Sequence, residues 1–170
     1  MKVVFRIVIV TSLASLGMGS CSTGVEEACR QQLPAFNQQL IQVTHELARY
    51  TPASESNRAI ASVSSDPSQN GIEQINQVFD LPKAQRIQWQ DWSEKRLVDV
   101  QRYLDFVHTH SQYRPALTPL SELANELVKF DGYVDQGKAL QAIASLHRAQ
   151  ANADEVTRAT CTTAQTPTER

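Results

Sequence analysis

Apolar residues recur every three or four positions in four long stretches of the chain, and this spacing predicts four amphipathic helices. We expect the first over residues 25–50, the second over 83–110, the third from Thr118 until just before Gly137, and the fourth over 138–161. Glycine is rare, and runs of β-branched residues are few. The pattern therefore predicts an all-α fold, an antiparallel up-and-down bundle of four main helices and one short one.

The first stretch carries the most regular stripe. Its members are Val25, Cys29, Leu33, Phe36, Leu40, Val43, Leu47 and Tyr50. Pro34 interrupts the stripe because proline lacks a backbone N–H and crowds the preceding turn. Either the helix kinks there, or a short helix ends and a second one begins with Pro34 in its first turn.

The next stretch has a different composition. Residues 51–66 are rich in Ser, Pro and Asn, and we expect a long loop within one domain. Asp66 and Pro67 then suit the start of the short helix, whose apolar face holds Ile72, Ile75 and Phe79.

Local residues also predict helix ends later in the chain. Thr118 and Pro119 suit an N-cap and a first-turn proline, and Gly137 suits a C-terminal glycine. The stripe of the last helix contains Ala139, Ala142, Leu146, Ala149, Ala153, Val156 and Thr160. Residues 162–170 show no periodicity, and we expect a disordered tail.

Two features of the helices have two interpretations each. Trp89 and Trp92 share one face of the second helix, either as core residues or as a docking patch for a protein partner. The alanine-rich face over residues 139–153 either packs inside the bundle or docks a partner helix. Core packing is the commoner outcome for both.

The pattern of the N-terminal residues predicts a secretory signal peptide. Lys2 and Arg6 supply the basic start, Val3 to Leu16 form a short apolar run, and small residues follow from Gly17. A membrane-spanning helix needs about 20 apolar residues, so the run is too short.

Met18-Gly19-Ser20-Cys21 resembles the lipobox of bacterial lipoproteins, although that family prefers Leu where Met18 stands. The resemblance implies that residues 1–20 are removed and that Cys21 is lipidated on sulfur. Residues 21–24 would then tether a domain over 25–161 close to a membrane, on the exported side: periplasm, cell surface or an equivalent lumen. The alternative is ordinary secretion with Cys21 free or in a disulfide.

If Cys21 carries lipid, the remaining cysteines are Cys29 and Cys161. An even number of cysteines in an oxidising compartment predicts a disulfide between them. It would close a loop of about 130 residues and contribute roughly 4–5 kcal/mol in the chain-entropy model.

Charge and motifs limit the function. Without residues 1–20 the chain has 14 Lys and Arg against 18 Asp and Glu, a net charge of −4, which argues against a nucleic-acid partner. The chain has no phosphate loop, Gly-x-Ser-x-Gly elbow or HExxH. The acidic side chains fall mostly on outward helix faces. Its histidines are His45, His108, His110 and His147, and of these His45, His108 and His147 are candidates for a haem held by two histidines.

We therefore expect no cofactor and no catalytic site. The sequence favours a non-enzymatic accessory or scaffold subunit, which is bound to the membrane by its lipid and to a protein partner by its surface. A bundle that binds haem or an apolar molecule between its helices is the alternative.

Overall fold

The structure, a computed structural model, describes Val25 and residues 27–52 and 81–165, with side chains as far as residue 162. The α-helices within these ranges are α1 (Leu33–Ala48), α2 (Lys83–Thr109), α3 (Leu117–Asp135) and α4 (Ala139–Gln165). A π-helical turn, Ala28–Gln32, leads into α1, and a 3₁₀ segment, Ser111–Ala116, leads into α3. All regular structure in these ranges is helical, which confirms the all-α prediction.

The helices pack as an antiparallel bundle. The backbones of α3 and α4 approach each other most extensively, followed by those of α2 and α3 and of α1 and α4. Polar contacts give the register: the Ser93 hydroxyl lies 2.8 Å from Asp131 Oδ1 between α2 and α3, and Asn37 donates to Asp154 between α1 and α4. The predicted up-and-down arrangement is confirmed.

Apolar side chains from all four helices fill the centre of the bundle. The largest fully buried ones are Phe130, Leu40, Leu47, Leu120, Leu127, Leu140, Ile143 and Leu146. Burying a side chain of this kind contributes about 1.5–3 kcal/mol, so the core is the main source of stability.

The start of α1 shows how the chain accommodates Pro34. The Leu33 N–H donates to the carbonyl of Ala28, five residues earlier, and this wider turn defines the π-helical segment. Pro34 follows as the second residue of α1, and the first turn of a helix tolerates proline because the N–H groups there have no partner within the α-helix. The π-helical turn and α1 therefore run on continuously, without a break into two helices.

The sequence predicted one end of α3 incorrectly and the other correctly. The predicted N-cap at Thr118 is wrong: α3 begins at Leu117, because the 3₁₀ segment already holds Ala116 in a helical conformation. The predicted C-terminal glycine is confirmed. Gly137 has φ of 69°, and the Lys138 N–H donates to the Tyr133 carbonyl at 2.8 Å, which closes the helix end.

The last helix is longer than predicted. The tail was expected from residue 162, but α4 continues to Gln165, because no residue before Pro167 interrupts a helix. Residues 166–170 lie outside the described residues. So do residues 1–24, most of the predicted loop over 51–66 and the short helix predicted at Asp66.

The beginning of α4 is the longest continuously buried stretch in the described ranges. All eight residues from Ala139 to Leu146 are buried, including Gln141 and Ser145. This run contains no charged residue, and a helix without a charged face can be buried on every side. The stripe predicted from the sequence included Ala139, Ala142 and Leu146 and missed the other buried positions.

Candidate functional site

One end of the bundle carries the disulfide, and we call it the disulfide end; it comprises Cys29, Cys161 and the 3₁₀ segment Ser111–Ala116. Cys29 and Cys161 are bonded, with their Cα atoms 5.7 Å apart, so the predicted pair is confirmed. Cys29 lies in the π-helical turn and Cys161 near the end of α4, and the two segments pack against each other. The bond therefore fixes the start of the helical domain onto its last helix.

Aromatic rings hold the 3₁₀ segment at this end. The Phe106 ring stacks on the His110 ring, with centroids 4.2 Å apart, and on the Tyr113 ring at 5.7 Å. Tyr103 is tilted against Phe106 at 6.0 Å. The His110 Nδ1 also lies 2.8 Å from the carbonyl oxygen of Phe106. These contacts fix the chain where it leaves α2 and turns towards α3.

Two buried hydroxyls connect this cluster with the disulfide. Thr160, which precedes Cys161, is fully buried, and its hydroxyl lies beside that of Tyr103 without reaching the geometry of a full hydrogen bond. Burial raises the pKa of Tyr103, the contact with Thr160 lowers it in part, and the nearby Tyr113 raises it further. The α2 end, the 3₁₀ segment and the α4 end thus form one packed unit.

The outer surface of the disulfide end is polar. Its exposed residues in the turn from α2 to α3 are His108, Thr109, Ser111, Gln112, Arg114, Pro115 and Thr118. Between Phe106 and Ser121 the chain has no Asp or Glu. Asp105 and Glu122, which flank this stretch, are both exposed, so charges of both signs lie at this end.

Trp89 and Trp92 lie in a second region, on the part of α2 nearest the end of α1, which we call the aromatic seam and define by Tyr50, Trp89, Trp92 and Arg96. Trp89 is only 2% exposed and packs edge-on against Tyr50, with ring centroids 5.7 Å apart. Trp92 is half-buried and packs edge-on against Phe130 at 5.8 Å. The Trp89 indole is therefore a core side chain, and Trp92 retains an exposed edge.

The alanine face of α4 packs inside the protein. Ala139, Ala142, Ala149 and Ala153 are all buried within the main core cluster. Their small side chains let the neighbouring helices approach closely. In the bundle this face lies against the protein's own helices, as the packing interpretation expects.

Glu126 is a buried, ion-paired carboxylate that the sequence pattern did not predict. It is 6% exposed, and its carboxylate accepts from Lys129 Nζ and Arg148 Nε, each at 2.8 Å. Arg148 also donates to the Ser145 hydroxyl at 3.2 Å. The expectation of outward acidic side chains is wrong for Glu126, because a cation 22 residues later neutralises it. Its position beside Leu123, Leu127 and Phe130 was the only hint.

The histidines are divided between two places. His45 and His147 lie near each other on α1 and α4; burial lowers the pKa of His147, and the charge of His45 lowers it further. His108 is exposed at the disulfide end, next to His110. In the described part of the chain, no three His, Cys, Asp or Glu side chains are grouped so that they could hold a metal ion.

Two observations concern the predicted anchor. Cys21 lies outside the described residues. Within the ranges that the structure describes, none of the helices has the length and apolarity needed to cross a bilayer. Comparison with models of known families, with curated proteins and with solved structures finds no match for this chain.

Proposed function

We propose that this chain is an exported lipoprotein, anchored to a membrane through Cys21, whose helical bundle serves as a non-enzymatic accessory or scaffold subunit of a protein assembly at that membrane. The observation that carries the proposal is the disulfide between Cys29 and Cys161. Structural disulfides persist in oxidising compartments and are rare in the cytosol. The bond therefore supports export, which is also what the N-terminal pattern predicts.

The resemblance to a lipobox supports the anchor. A single acyl chain binds membranes only marginally, whereas two or more hold a protein stably. Cys21 stands eight residues before Cys29, so a lipid at Cys21 would be joined through a short segment to the part of the domain that the disulfide holds most firmly.

The interior of the bundle supports a function located on the surface. Apolar side chains from all four helices pack in one core cluster, and the beginning of α4 is buried within the protein. A scaffold of this kind offers partners its helix faces and its two ends. The exposed edge of Trp92 is the feature of the aromatic seam that a partner can reach.

The anchor is tested by Cys21→Ala in the full-length chain. We expect the parent protein in the membrane fraction and the variant in the soluble exported fraction, because the cysteine sulfur that carries the lipid is gone. Ser22→Ala is the matched control and should stay on the membrane. A Cys21→Ala protein that remains membrane-bound after a high-salt wash would show that the anchor is something else.

The subunit role is tested by extracting the full-length protein from its native membrane in mild detergent and identifying what co-purifies. A stoichiometric membrane complex, lost or weakened in Trp92→Ala or another surface variant, is the expected result. Recovery of the chain alone, with a small molecule retained in it, would contradict the subunit role and favour the ligand-binding alternative.

A further inference from the structure

We infer that residues 53–80, which connect α1 to α2, dock on the first turns of α4, on the side of that helix that points away from the bundle. We call this side the outward face of α4 and define it by Leu140, Ala144, Ala151 and Glu155. The inference does not depend on the proposed membrane anchor. It determines which part of α4 a protein partner can reach.

The first step is the contrast in burial along the outward face. Leu140 and Ala144 are fully buried, whereas Ala151 and Glu155, which continue the same face, are both exposed. Ala144 lies on the opposite side of the helix from Leu146, which is part of the main core cluster. Neither Leu140 nor Ala144 belongs to that cluster. Their burial therefore has a source other than the packing that forms the core.

The second step is that the described helices do not account for this burial. In the described ranges α4 packs mainly against α3, α1 and the 3₁₀ segment, and α1 reaches it from the side of Asp154 and Cys161. These elements accompany α4 along its length, yet Ala151 and Glu155 stay exposed. Another part of the chain must therefore lie on the outward face where α4 begins.

The third step is the position at which residues 53–80 leave the bundle. Tyr50 follows Cys29 by as many residues as Leu140 precedes Cys161. Because the two helices are antiparallel and bonded at those cysteines, the end of α1 lies level with the start of α4. The stretch therefore begins beside the buried part of the outward face.

The stretch also returns at the same level. Leu81 is only 2% exposed, so the chain is packed onto the bundle where α2 is about to begin. Arg86, in the first turn of α2, donates to the carbonyl of Asp135 at 3.1 Å, just before the turn into α4. Both ends of residues 53–80 thus lie at the end of the bundle where α4 starts.

The other undescribed stretches are poorly placed for this contact. Residues 166–170 span at most about 18 Å, whereas Leu140 lies about 38 Å along α4 from Gln165. Residues 1–24 precede the π-helical turn at the disulfide end, and the lipobox resemblance implies that most of them are removed. Residues 53–80 are therefore the occupant that the fold favours.

This stretch also has the right side chains for an apolar face. Ile72, Ile75 and Phe79 recur at helical spacing, and this pattern predicts that they share one side of the short helix. Gln77 falls on the other side. A small residue such as Ala144 lets a crossing helix approach α4 closely. We assign the contact with Leu140 and Ala144 to the apolar side of the short helix.

The test uses photochemical cross-linking in the full-length protein. The photoreactive amino acid benzoylphenylalanine replaces Phe79 or, as the matched control, Gln77. Trypsin cleaves after Lys and Arg, so it releases the buried turns of α4 as peptide 139–148 and the exposed turns as peptide 149–158. We expect several-fold more cross-linking from position 79 to peptide 139–148 than to peptide 149–158, and little to either from position 77. Ile75 provides a second probe position if the Phe79 variant does not fold.

The outcomes decide both the contact and its occupant. Equal yields for the two peptides, or no cross-link from position 79 or 75 to peptide 139–148, would overturn the inference. An equal mixture of unlabelled and isotope-labelled protein shows whether the cross-link lies within one chain. Cross-links that join labelled to unlabelled chains would mean that a second copy occupies this face, which also overturns the inference. None of these results bears on lipidation of Cys21, which the membrane fractionation of Cys21→Ala tests separately.

Discussion

The alanine face of α4 and the aromatic seam between α1 and α2 are two interfaces of one bundle, built from side chains of opposite size. Along the alanine face the buried residues include Ala139, Ala142, Ala149 and Ala153, and α3 and α4 approach each other more extensively than any other helix pair. Along the aromatic seam the contacts are made by the rings of Tyr50 and Trp89 and by the long side chain of Arg96, which donates to Gln39 at 3.1 Å.

Side-chain size distinguishes the two interfaces. The backbones of α1 and α2 approach each other less extensively than those of the other consecutive helices, and the contacts described between them are made by large rings and a guanidinium. In α4 the uncharged run Ala139–Leu146 is buried, whereas at the aromatic seam Trp92 and Arg96 are partly exposed. A partner therefore has more access at the aromatic seam than at the alanine face.

The largest effect on stability is expected from removing the Trp89 side chain from the aromatic seam. Trp89→Ala should lower the free energy of unfolding by about 3–5 kcal/mol, because it removes a buried indole and leaves a cavity beside Tyr50. Urea denaturation measures the change. Trp92→Ala, which removes the same side chain from a half-buried position, is the matched control and should cost less. Equal losses of unfolding free energy for the two variants would contradict the different burial of the two rings. If Trp89→Ala does not fold, Trp89→Phe provides a milder variant.

The opposite change tests the alanine face. Ala149→Leu adds three carbons at a fully buried position, and overpacking of this kind destabilises by about 1–3 kcal/mol. Ala151→Leu makes the same substitution at an exposed position of α4, two residues along, and should be close to neutral. The two denaturation midpoints are compared directly. If Ala149→Leu were as stable as Ala151→Leu, the conclusion that neighbouring helices pack closely against this face would be wrong.

Much of this fold is predictable because apolar spacing reports which face of a helix is buried. It located all four main helices, and the stripe that placed Cys29 towards the core also made its bond to Cys161 plausible. Gly137 was predictable because few residues other than glycine adopt a positive φ. These features depend on local sequence or on one strong covalent preference.

Other features depend on contacts that no local pattern records. The π-helical turn before Pro34 and the 3₁₀ segment before Leu117 are a wider and a tighter winding of the helix, used only in short pieces, and apolar spacing does not distinguish them from an α-helix. The burial of Glu126 depends on Arg148 in another helix. Burial on all sides of Ala139–Leu146 depends on where the rest of the chain packs, although the absence of charge there was a usable indication.

The smallest effect concerns His147, which lies just after the buried run of α4. Its titration therefore tests how far that burial extends along the helix. Burial, with a contribution from the charge of His45, holds the pKa of His147 below its usual value of about 6.5. The folded protein therefore binds a proton at His147 less readily than the unfolded chain does. Stability should be independent of this group above about pH 6.5, fall as the pH drops below it, and level off below the folded pKa.

His147→Gln should remove this loss, so the difference in unfolding free energy between parent and variant should change between pH 7.5 and pH 5.5. His45→Gln should reduce the slope less, because burial and not the neighbouring charge is the main cause. Urea denaturation at several pH values measures both. A parent protein that became more stable on acidification through this range, relative to His147→Gln, would mean that protonated His147 is favoured in the fold and that this part of α4 is more open to water than the buried run before it.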